Sequence, residues 1–191
     1  MSSKTLFIIL LTFIFINMYG QKHQKENPLV TTYSIVAFDE ETGEMGVAVQ
    51  SHWFSVGSIV SWAEAGVGAI ATQSFCNPNF GPDGLALLKE GKTAQEALNI
   101  MIAEDKGRDV RQLAIVDAKG NTAVYTGNKC IPGAGHIQGE GYSVQANMML
   151  NDKVWPAMST AFENSSGPLE DRLVIALEAA EAAGGDIRGK Q

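Results

Sequence analysis

The chain has 191 residues, the size of one domain or at most two small ones. Hydrophobic residues make up 45% and charged residues 18% of the sequence, a composition that supports a folded core and argues against intrinsic disorder. Lys and Arg number 14 against 21 Asp and Glu, and the net charge of −7 without a basic cluster disfavours nucleic-acid binding. Two cysteines are too few for a disulfide framework or a four-cysteine zinc site.

Residues 1–20 have the layout of a secretory signal peptide. Lys4 is their only charged residue, and the apolar run that follows is shorter than the ~20 residues of a membrane-spanning helix. We expect cleavage after Gly20 and a secreted or periplasmic protein that no longer contacts the membrane, with an uncleaved N-terminal anchor as the alternative. The polar, Pro-containing residues 21–31 are expected to form a leader or linker.

Four β-strands are expected next in the chain. Each is a run of β-branched and apolar residues bounded by turn signals, at 31–38, 45–51, 55–66 and 67–75. The first two flank an acidic turn at 40–44, which predicts a β-hairpin that pairs 32–38 with 46–52.

The remaining elements alternate between helix pairs and strands. Helices are expected at Gly84–Glu90, Thr93–Glu104, Lys153–Phe162 and Pro168–Ala183, and strands at 110–118, 122–127 and 141–150. Thr93 and Glu96 have the spacing of a helix-capping box. The Gly-rich stretch Gly127–Gly141 lacks the spacing of a dinucleotide-binding site and is expected to be a loop. This order favours an α+β fold in which two antiparallel sheets pack face to face with helix pairs outside, an αββα sandwich.

No metal, phosphate or serine-hydrolase motif is present, so no cofactor and no metal are expected. The pair Thr31-Thr32 at the first strand is the more informative feature. In N-terminal-nucleophile (Ntn) hydrolases, a residue at this place attacks a carbonyl with its hydroxyl, and its own free α-amine takes the proton. The alternative is that threonine merely favours strands.

Several segments of the chain resemble one family in sequence and in order. They are TYSIVAFDEETGEMGVAV (32–49), AGVGAIATQSFCNPNFGPDGL (65–85), RQLAIVDAKG (111–120), TGNKCIPGAGH (126–136), YSVQANMM (142–149) and GGDIRGKQ (184–191). The stretch 32–191 thereby resembles the domain of unknown function 1028 (DUF1028) family, which is regarded as Ntn-hydrolase-like. The resemblance implies a single domain with the four-layer αββα sandwich and makes Thr32 the family's first core residue.

The chain departs from Ntn enzymes in three ways. Signal cleavage at Gly20 would leave residues 21–31 ahead of Thr32, so its nitrogen stays an amide unless a second cut occurs. Gln50 stands where proteasome-type enzymes have an acid, and the next hairpin offers Glu64 where they have a lysine. The proteasome mechanism is therefore not transferred to this chain.

The candidate catalytic residues are Thr32, Ser51, His52, His136 and Asn147. In the expected scheme the Thr32 amine is the base, Ser51 and His52 orient the reacting groups, and Asn147 or nearby backbone N–H groups hold the oxyanion. Thr32 is expected at the edge of its sheet, with its hydroxyl facing a cleft. His136 is either a general base or a hydrogen-bond donor in its loop.

Other polar residues leave their roles open. Cys130 is either a thiol nucleophile or a small buried hydrophobe, and it could also pair with Cys76 in a disulfide. Gln73, Asn77 and Gln145 either contact a substrate or satisfy loop backbone. Asp186 and Arg188 form an ion pair either near the site or on the surface.

The leading hypothesis is an exported hydrolase of an amide or peptide-like bond in a small-molecule or peptide substrate, with Thr32 as nucleophile after processing. The alternative is a non-catalytic ligand-binding module on the same fold. A homo-oligomer is compatible with either function. Because the family is expected to continue into further strand beyond Gln191, the domain is also a candidate for truncation at its C-terminus.

Overall fold

A computed structural model of the protein describes residues 28–190. The predicted signal peptide and its cleavage site at Gly20 lie outside the described residues. The strands are β1 (Leu29–Val30), β2 (Thr32–Phe38), β3 (Met45–Gln50), β4 (Ser61–Glu64), β5 (Gly68–Phe75), β6 (Arg111–Asp117), β7 (Thr122–Thr126), β8 (Gly135–Gly139) and β9 (Tyr142–Asn147). The helices are α1 (Gly57–Val60), α2 (Phe80–Lys89), α3 (Ala94–Glu104), α4 (Val154–Glu163) and α5 (Leu169–Ala182), with a 3-10 turn at Arg108–Val110.

The strands form two antiparallel sheets. The first sheet has the order β1-β5-β6-β7, with β4 also paired to β5, and the second sheet has the order β3-β2-β9-β8. The acidic turn predicts the hairpin of β2 and β3, which runs from Tyr33 opposite Gln50 to Phe38 opposite Met45, one residue away from the predicted register. The mixed α and β architecture with two antiparallel sheets is therefore confirmed.

Three apolar clusters hold the sheets and helices together. One joins β2 and β9 of the second sheet to α4 and α5, and another joins β5, β6 and β7 of the first sheet to α2 and α3. The third contains Val36 of the second sheet together with Ala71 and Ala114 of the first. Since alternate residues of a strand point to opposite faces, β2 uses Tyr33 and Ile35 toward the helices and Val36 toward the other sheet.

The predicted helix after Asn77-Pro78 begins earlier than expected, at Phe80, because a proline such as Pro82 is tolerated in a first turn, where its missing N–H has no helical partner. The next helix has the predicted capping box. Thr93 Oγ1 accepts a hydrogen bond from the Glu96 backbone N–H, and Glu96 Oε2 accepts one from the Thr93 N–H at 2.8 Å. Within residues 28–190, no helix is both long enough and apolar enough to cross a membrane.

Two local predictions are wrong. The segment 55–66 is not one strand, because Val56 precedes the short helix α1, and Ile59 and Val60 of that helix pack with it before β4 begins. The Gly-rich stretch 127–141 is not all loop, since it contains β8.

Close packing explains why β8 is rich in glycine. A Cβ on Gly135 would lie 2.5 Å from the ring of Trp155, so only glycine lets α4 approach this strand.

Part of the segment 21–31, which is expected to be a leader or linker, is paired with the domain. Leu29–Val30 forms β1, which pairs with Phe75 and Ser74 of β5. Two residues are too few for a period-two pattern to be recognised in the sequence, and their position depends on the partner strand.

Candidate functional site

A layer of polar side chains lies between the two sheets, at the end where β2 begins. Six of its members are fully buried, and we call them the inter-sheet polar layer: Thr32, Ser34, Gln73, Gln112, Gln145 and Asn147. They share this position because residues two apart on one strand face the same way. Toward the opposite end, the same inward faces carry the apolar side chains of the third cluster.

The polar layer contains an oriented chain of hydrogen bonds that passes from one sheet to the other. Gln145 Nε2 donates to Ser34 Oγ at 2.6 Å, and Ser34 Oγ donates to Gln73 Oε1 at 2.7 Å. Gln73 Nε2 donates to Gln112 Oε1 at 2.7 Å, and Gln112 Nε2 donates to Thr126 Oγ1 at 2.9 Å. Such chains strengthen each member by polarisation and fix the position of every side chain in them.

The chain of hydrogen bonds ends at His136, on the solvent-exposed rim of β8. Partial burial of the ring lowers the pKa of His136 below its ordinary value, which favours the neutral ring at pH 7. Its Nδ1 atom lies 2.8 Å from Thr126 Oγ1, which already accepts a hydrogen bond from Gln112 and therefore has its own proton to donate. His136 is thus connected to the polar layer, and it lies on a strand and not in a loop.

Thr32 lies inside this layer, not at a cleft. The expectation that Thr32 lies at a sheet edge with its hydroxyl facing a cleft is wrong. Strand β2 lies between β3 and β9, and Thr32 is fully buried. Its partner across the strands is Asn147, whose Nδ2 donates to Gln112 Oε1 at 3.1 Å. Among the described residues, Thr32 Oγ1 has no hydrogen-bond partner. Buried hydroxyls are usually paired, so an unpaired one in a polar layer marks a functional candidate.

The residue before Thr32 carries the most unusual contact. At Thr31 the chain crosses from the first sheet to the second, and Thr31 is buried. Its carbonyl oxygen accepts hydrogen bonds from Ser51 Oγ at 2.5 Å and from Arg188 Nη2 at 3.3 Å. Ser51 is held in place because its Oγ also accepts from the Trp53 backbone N–H at 3.0 Å. A hydroxyl and a guanidinium therefore polarise one peptide carbonyl.

A buried carboxylate holds Arg188 against this carbonyl. Asp186 is 2% exposed and is bonded to the Nε and Nη2 atoms of Arg188, whose own side chain is partly exposed. Because both residues contact Thr31, the interpretation of this ion pair as lying near the site is favoured over a bridge on the surface alone. Burial alone would raise the pKa of the Asp186 carboxyl. The hydrogen bonds from the side chain and backbone of Arg188, together with its charge, nevertheless hold the pKa below its usual value. Asp186 is therefore ionised at neutral pH and fixes the guanidinium.

The structure brings together most, but not all, of the predicted catalytic residues. Thr32 and Asn147 are neighbours, and Ser51 contacts the residue before Thr32. His52 is exposed and donates from Nε2 to the Gly189 carbonyl at 2.7 Å, so it contacts the segment of Arg188 and not Thr32 itself.

The two cysteines are free and are not paired in a disulfide. Burial raises the pKa of the Cys76 thiol to about 11 and also raises that of Cys130. Because the thiolate is the nucleophilic form, the interpretation of Cys130 as a small buried residue is favoured. Over residues 28–190, no group of three or more His, Cys, Asp or Glu side chains is placed to hold a metal ion.

Sequence reasoning missed Ser34 and Gln112 and underestimated Arg188. The signal for the first two is a polar residue at an inward position of an otherwise apolar strand, as in RQLAIVD of β6. No such local signal exists for Arg188, because its contact with Thr31 joins residues 157 positions apart.

Comparison with known proteins identifies a family and a similar solved structure. The model of a family of unknown function, DUF1028, matches residues 32–191. The crystal structure of protein SPO2555 from Silicibacter pomeroyi, which is assigned to the same family, superposes with a TM-score of 0.77. The two sequences are 35% identical, and the match covers 81% of this chain and 69% of that one. No curated protein is significantly similar to the chain.

Proposed function

The chain belongs to the DUF1028 family, whose function is unknown, and on that premise we propose that it is an exported hydrolase of the N-terminal-nucleophile type. In this proposal the protein first cuts its own Thr31–Thr32 bond. The freed Thr32 then hydrolyses amide bonds in a small molecule or a peptide.

The arrangement of the clusters supports an Ntn-like, four-layer αββα sandwich. Each sheet packs one face on a helix pair, and residues of both sheets share a third apolar cluster. In addition, the family match begins at Thr32, the residue that the proposal makes the N-terminus.

The observation that carries the proposal is the polarised carbonyl of Thr31. Ser51 Oγ and Arg188 Nη2 both donate to this oxygen, and the next residue carries a buried hydroxyl without a partner among the described residues. Two donors aimed at a carbonyl oxygen are the groups that stabilise a tetrahedral oxyanion, and the nucleophile in this proposal is the hydroxyl of the next residue. An ordinary structural carbonyl needs only one donor.

The chemistry of the first cut balances without a cofactor. Thr32 Oγ1 attacks the carbonyl carbon of Thr31, negative charge develops on the oxygen held by Ser51 and Arg188, and the C–N bond breaks. The hydroxyl proton goes to the departing Thr32 nitrogen, which leaves an ester between the Thr31 acyl group and Thr32 Oγ1. Water then hydrolyses this ester to a Thr31 carboxylate and a free hydroxyl.

The free α-amine of Thr32 is then the general base of the mature enzyme. α-Amino groups have pKa values of about 7.7–8.0, which suit proton transfer near neutral pH. The Ser51 hydroxyl supplies an oxyanion donor, and Asn147 Nδ2, which donates to the Thr32 carbonyl oxygen at 3.4 Å and to Gln112, is assigned to holding Thr32 in place. We assign His52 to holding the segment of Arg188 through Gly189, and His136 to holding the polar layer.

N-terminal sequencing and intact-mass measurement of the purified protein test this proposal. We expect a chain that begins at Thr32, together with a separate fragment that ends at Thr31. A protein that still begins upstream of residue 32 after prolonged incubation at neutral pH would contradict it. That result would favour the second candidate, a binding module, because a buried Thr32 with an amide nitrogen has no base.

Replacing Arg188 with alanine is expected to slow the self-cleavage by about 100-fold, because removing one preorganised oxyanion donor typically costs that much. The rate is measured as the appearance of the chain that begins at residue 32. Lys129→Ala is the control, since it removes a cation whose ion pair with Asp109 is solvent-exposed, and it should cleave at the wild-type rate. A folded Arg188→Ala variant that cleaves as fast as wild type would refute the role of the guanidinium.

Export is predicted from residues 1–20. The protein should be found outside the inner membrane about 2 kDa lighter than its full-length product, because a signal peptide of ~20 residues is removed. Cell fractionation followed by mass spectrometry measures this loss of mass. The proposed cut between Thr31 and Thr32 would lower the mass further. Full-length protein in the membrane fraction would contradict the prediction.

A further inference from the structure

Strand β1 occupies the acyl side of the proposed reaction centre. Leu29 lies opposite Phe75 and Val30 opposite Ser74 in antiparallel pairing with β5. The Pro28 carbonyl accepts a hydrogen bond from the Cys76 N–H at 2.8 Å, which extends this pairing. Residues 28–30 are therefore held along the edge of β5, as peptides are when they bind by β-strand addition, and Thr31 follows directly.

The side chains of this segment occupy two different environments. Val30 is fully buried and belongs to the apolar cluster between the sheets. Thr31 is 1% exposed, and its Oγ1 donates to Asp186 Oδ2 at 3.4 Å. The position of Val30 therefore accepts an apolar side chain. The position of Thr31 accepts a small side chain whose hydrogen-bond donor lies beside the Asp186 carboxylate.

The ester formed in self-cleavage indicates which substrate would resemble this segment. It joins the Thr31 acyl group to Thr32 Oγ1, and this is the same kind of species that forms when Thr32 attacks a peptide whose residue before the cut is threonine. A site that holds the Thr31 acyl group for the first cut has the shape and charge to hold an equivalent acyl group afterwards.

We propose that the substrate is an extended peptide whose acyl side replaces Leu29–Thr31, with a small hydroxyl residue directly before the cut and an apolar residue before that. This inference rests on the proposed function and specifies its substrate class. Departure of β1 after self-cleavage frees the edge of β5 at Ser74 and Phe75, and the incoming peptide pairs with this edge.

Charge and size give the site its selectivity. An acidic residue directly before the cut would face the Asp186 carboxylate, which is ionised and buried. A charged residue in the place of Val30 would lose its hydration inside an apolar cluster. The acyl product of the cut ends in a carboxylate at the place of the Thr31 carbonyl, within reach of the Arg188 guanidinium. Short peptides that end in threonine should therefore inhibit the hydrolysis.

Three fluorogenic peptides test the proposal with the full chain after it has processed itself. They are the aminocoumarin amides of acetyl-Leu-Val-Thr, acetyl-Leu-Val-Val and acetyl-Leu-Asp-Thr. In the reaction Thr32 Oγ1 takes the acyl group, the aminocoumarin leaves with the proton, and water hydrolyses the ester. We expect kcat/KM for the first peptide to exceed that of the second by about tenfold or more, since the second lacks the donor to Asp186. The third peptide should not be cleaved measurably, and free Leu-Val-Thr should inhibit competitively.

Each outcome has a separate meaning. A processed chain that cleaves none of the peptides, or cleaves all three equally well, overturns the substrate assignment and leaves self-cleavage standing. A chain that never begins at residue 32 overturns the proposed function, and the substrate assignment with it. Processed Asp186→Asn protein provides a further check. Its preference for threonine over valine directly before the cut should fall, while its preference for valine over aspartate one position earlier should remain.

Discussion

Replacing Thr32 with alanine is expected to abolish self-cleavage and amide hydrolysis together. Alanine has no hydroxyl to attack the Thr31 carbonyl, so the chain should keep the residues that precede Thr32. The stability should change by less than about 1 kcal/mol, because the Thr32 hydroxyl has no hydrogen-bond partner among the described residues that the variant would leave unpaired. Intact-mass spectrometry measures the first effect and urea unfolding the second.

Two further variants define the result for Thr32. Thr32→Ser keeps a nucleophilic hydroxyl and should still cleave, whereas Thr122→Ala removes a strand hydroxyl of β7 outside the site and should behave as wild type. If Thr32→Ala protein were still cut before residue 32, or kept its hydrolytic activity, Thr32 would not be the nucleophile. The fold would then be better described as a binding module.

Replacing Gln112 with leucine is expected to lower the free energy of unfolding by about 3 kcal/mol, the largest effect on stability that we predict. Gln112 accepts hydrogen bonds from Gln73 and Asn147 and donates to Thr126 and to the Ala146 carbonyl. Leucine has similar volume but removes all four of these hydrogen bonds, and each buried polar group that loses a partner costs about 1–3 kcal/mol unless its other contacts compensate. Equilibrium unfolding in urea measures the loss.

Gln138→Leu is the matched control for Gln112. Gln138 is an exposed residue of β8 whose Nε2 donates to the Thr122 carbonyl at 2.8 Å, and solvent can replace this bond. Its substitution should change the stability by less than about 1 kcal/mol. If the Gln112 and Gln138 variants lost equal stability, the polar layer would not act as a network that the fold depends on.

The two predictions separate the roles of neighbouring residues. Thr32 is expected to matter for chemistry and little for stability, since its hydroxyl is unpaired among the described residues. Gln112 is expected to matter for stability, and its effect on chemistry should follow from the position of Asn147, to which it is bonded at 3.1 Å. A reactive group is held in place best by neighbouring side chains that are themselves fixed by packing and hydrogen bonds.

Local patterns in the sequence were sufficient for most of the elements. The hairpin of β2 and β3, the capping box at Thr93, and α4 and α5 follow from residue spacing, because strand and helix periods and cap geometry depend on residues a few positions apart. The same patterns failed at β1 and β8. Leu29–Val30 is too short to show a period, and Gly135 is a strand residue because Trp155 packs against it.

The family, the two-sheet architecture and the candidate Thr32 could all be predicted from the amino-acid sequence. The burial of Thr32, and the contact of Arg188, held by Asp186, with the carbonyl of the preceding residue, required the three-dimensional structure. The reason is that strand and helix patterns are set by near neighbours, whereas a contact between Thr31 and Arg188 depends on how the last segment of the chain folds back onto the edge of the sheets. The chemistry we propose arises from that long-range contact, on a framework that local patterns had already specified.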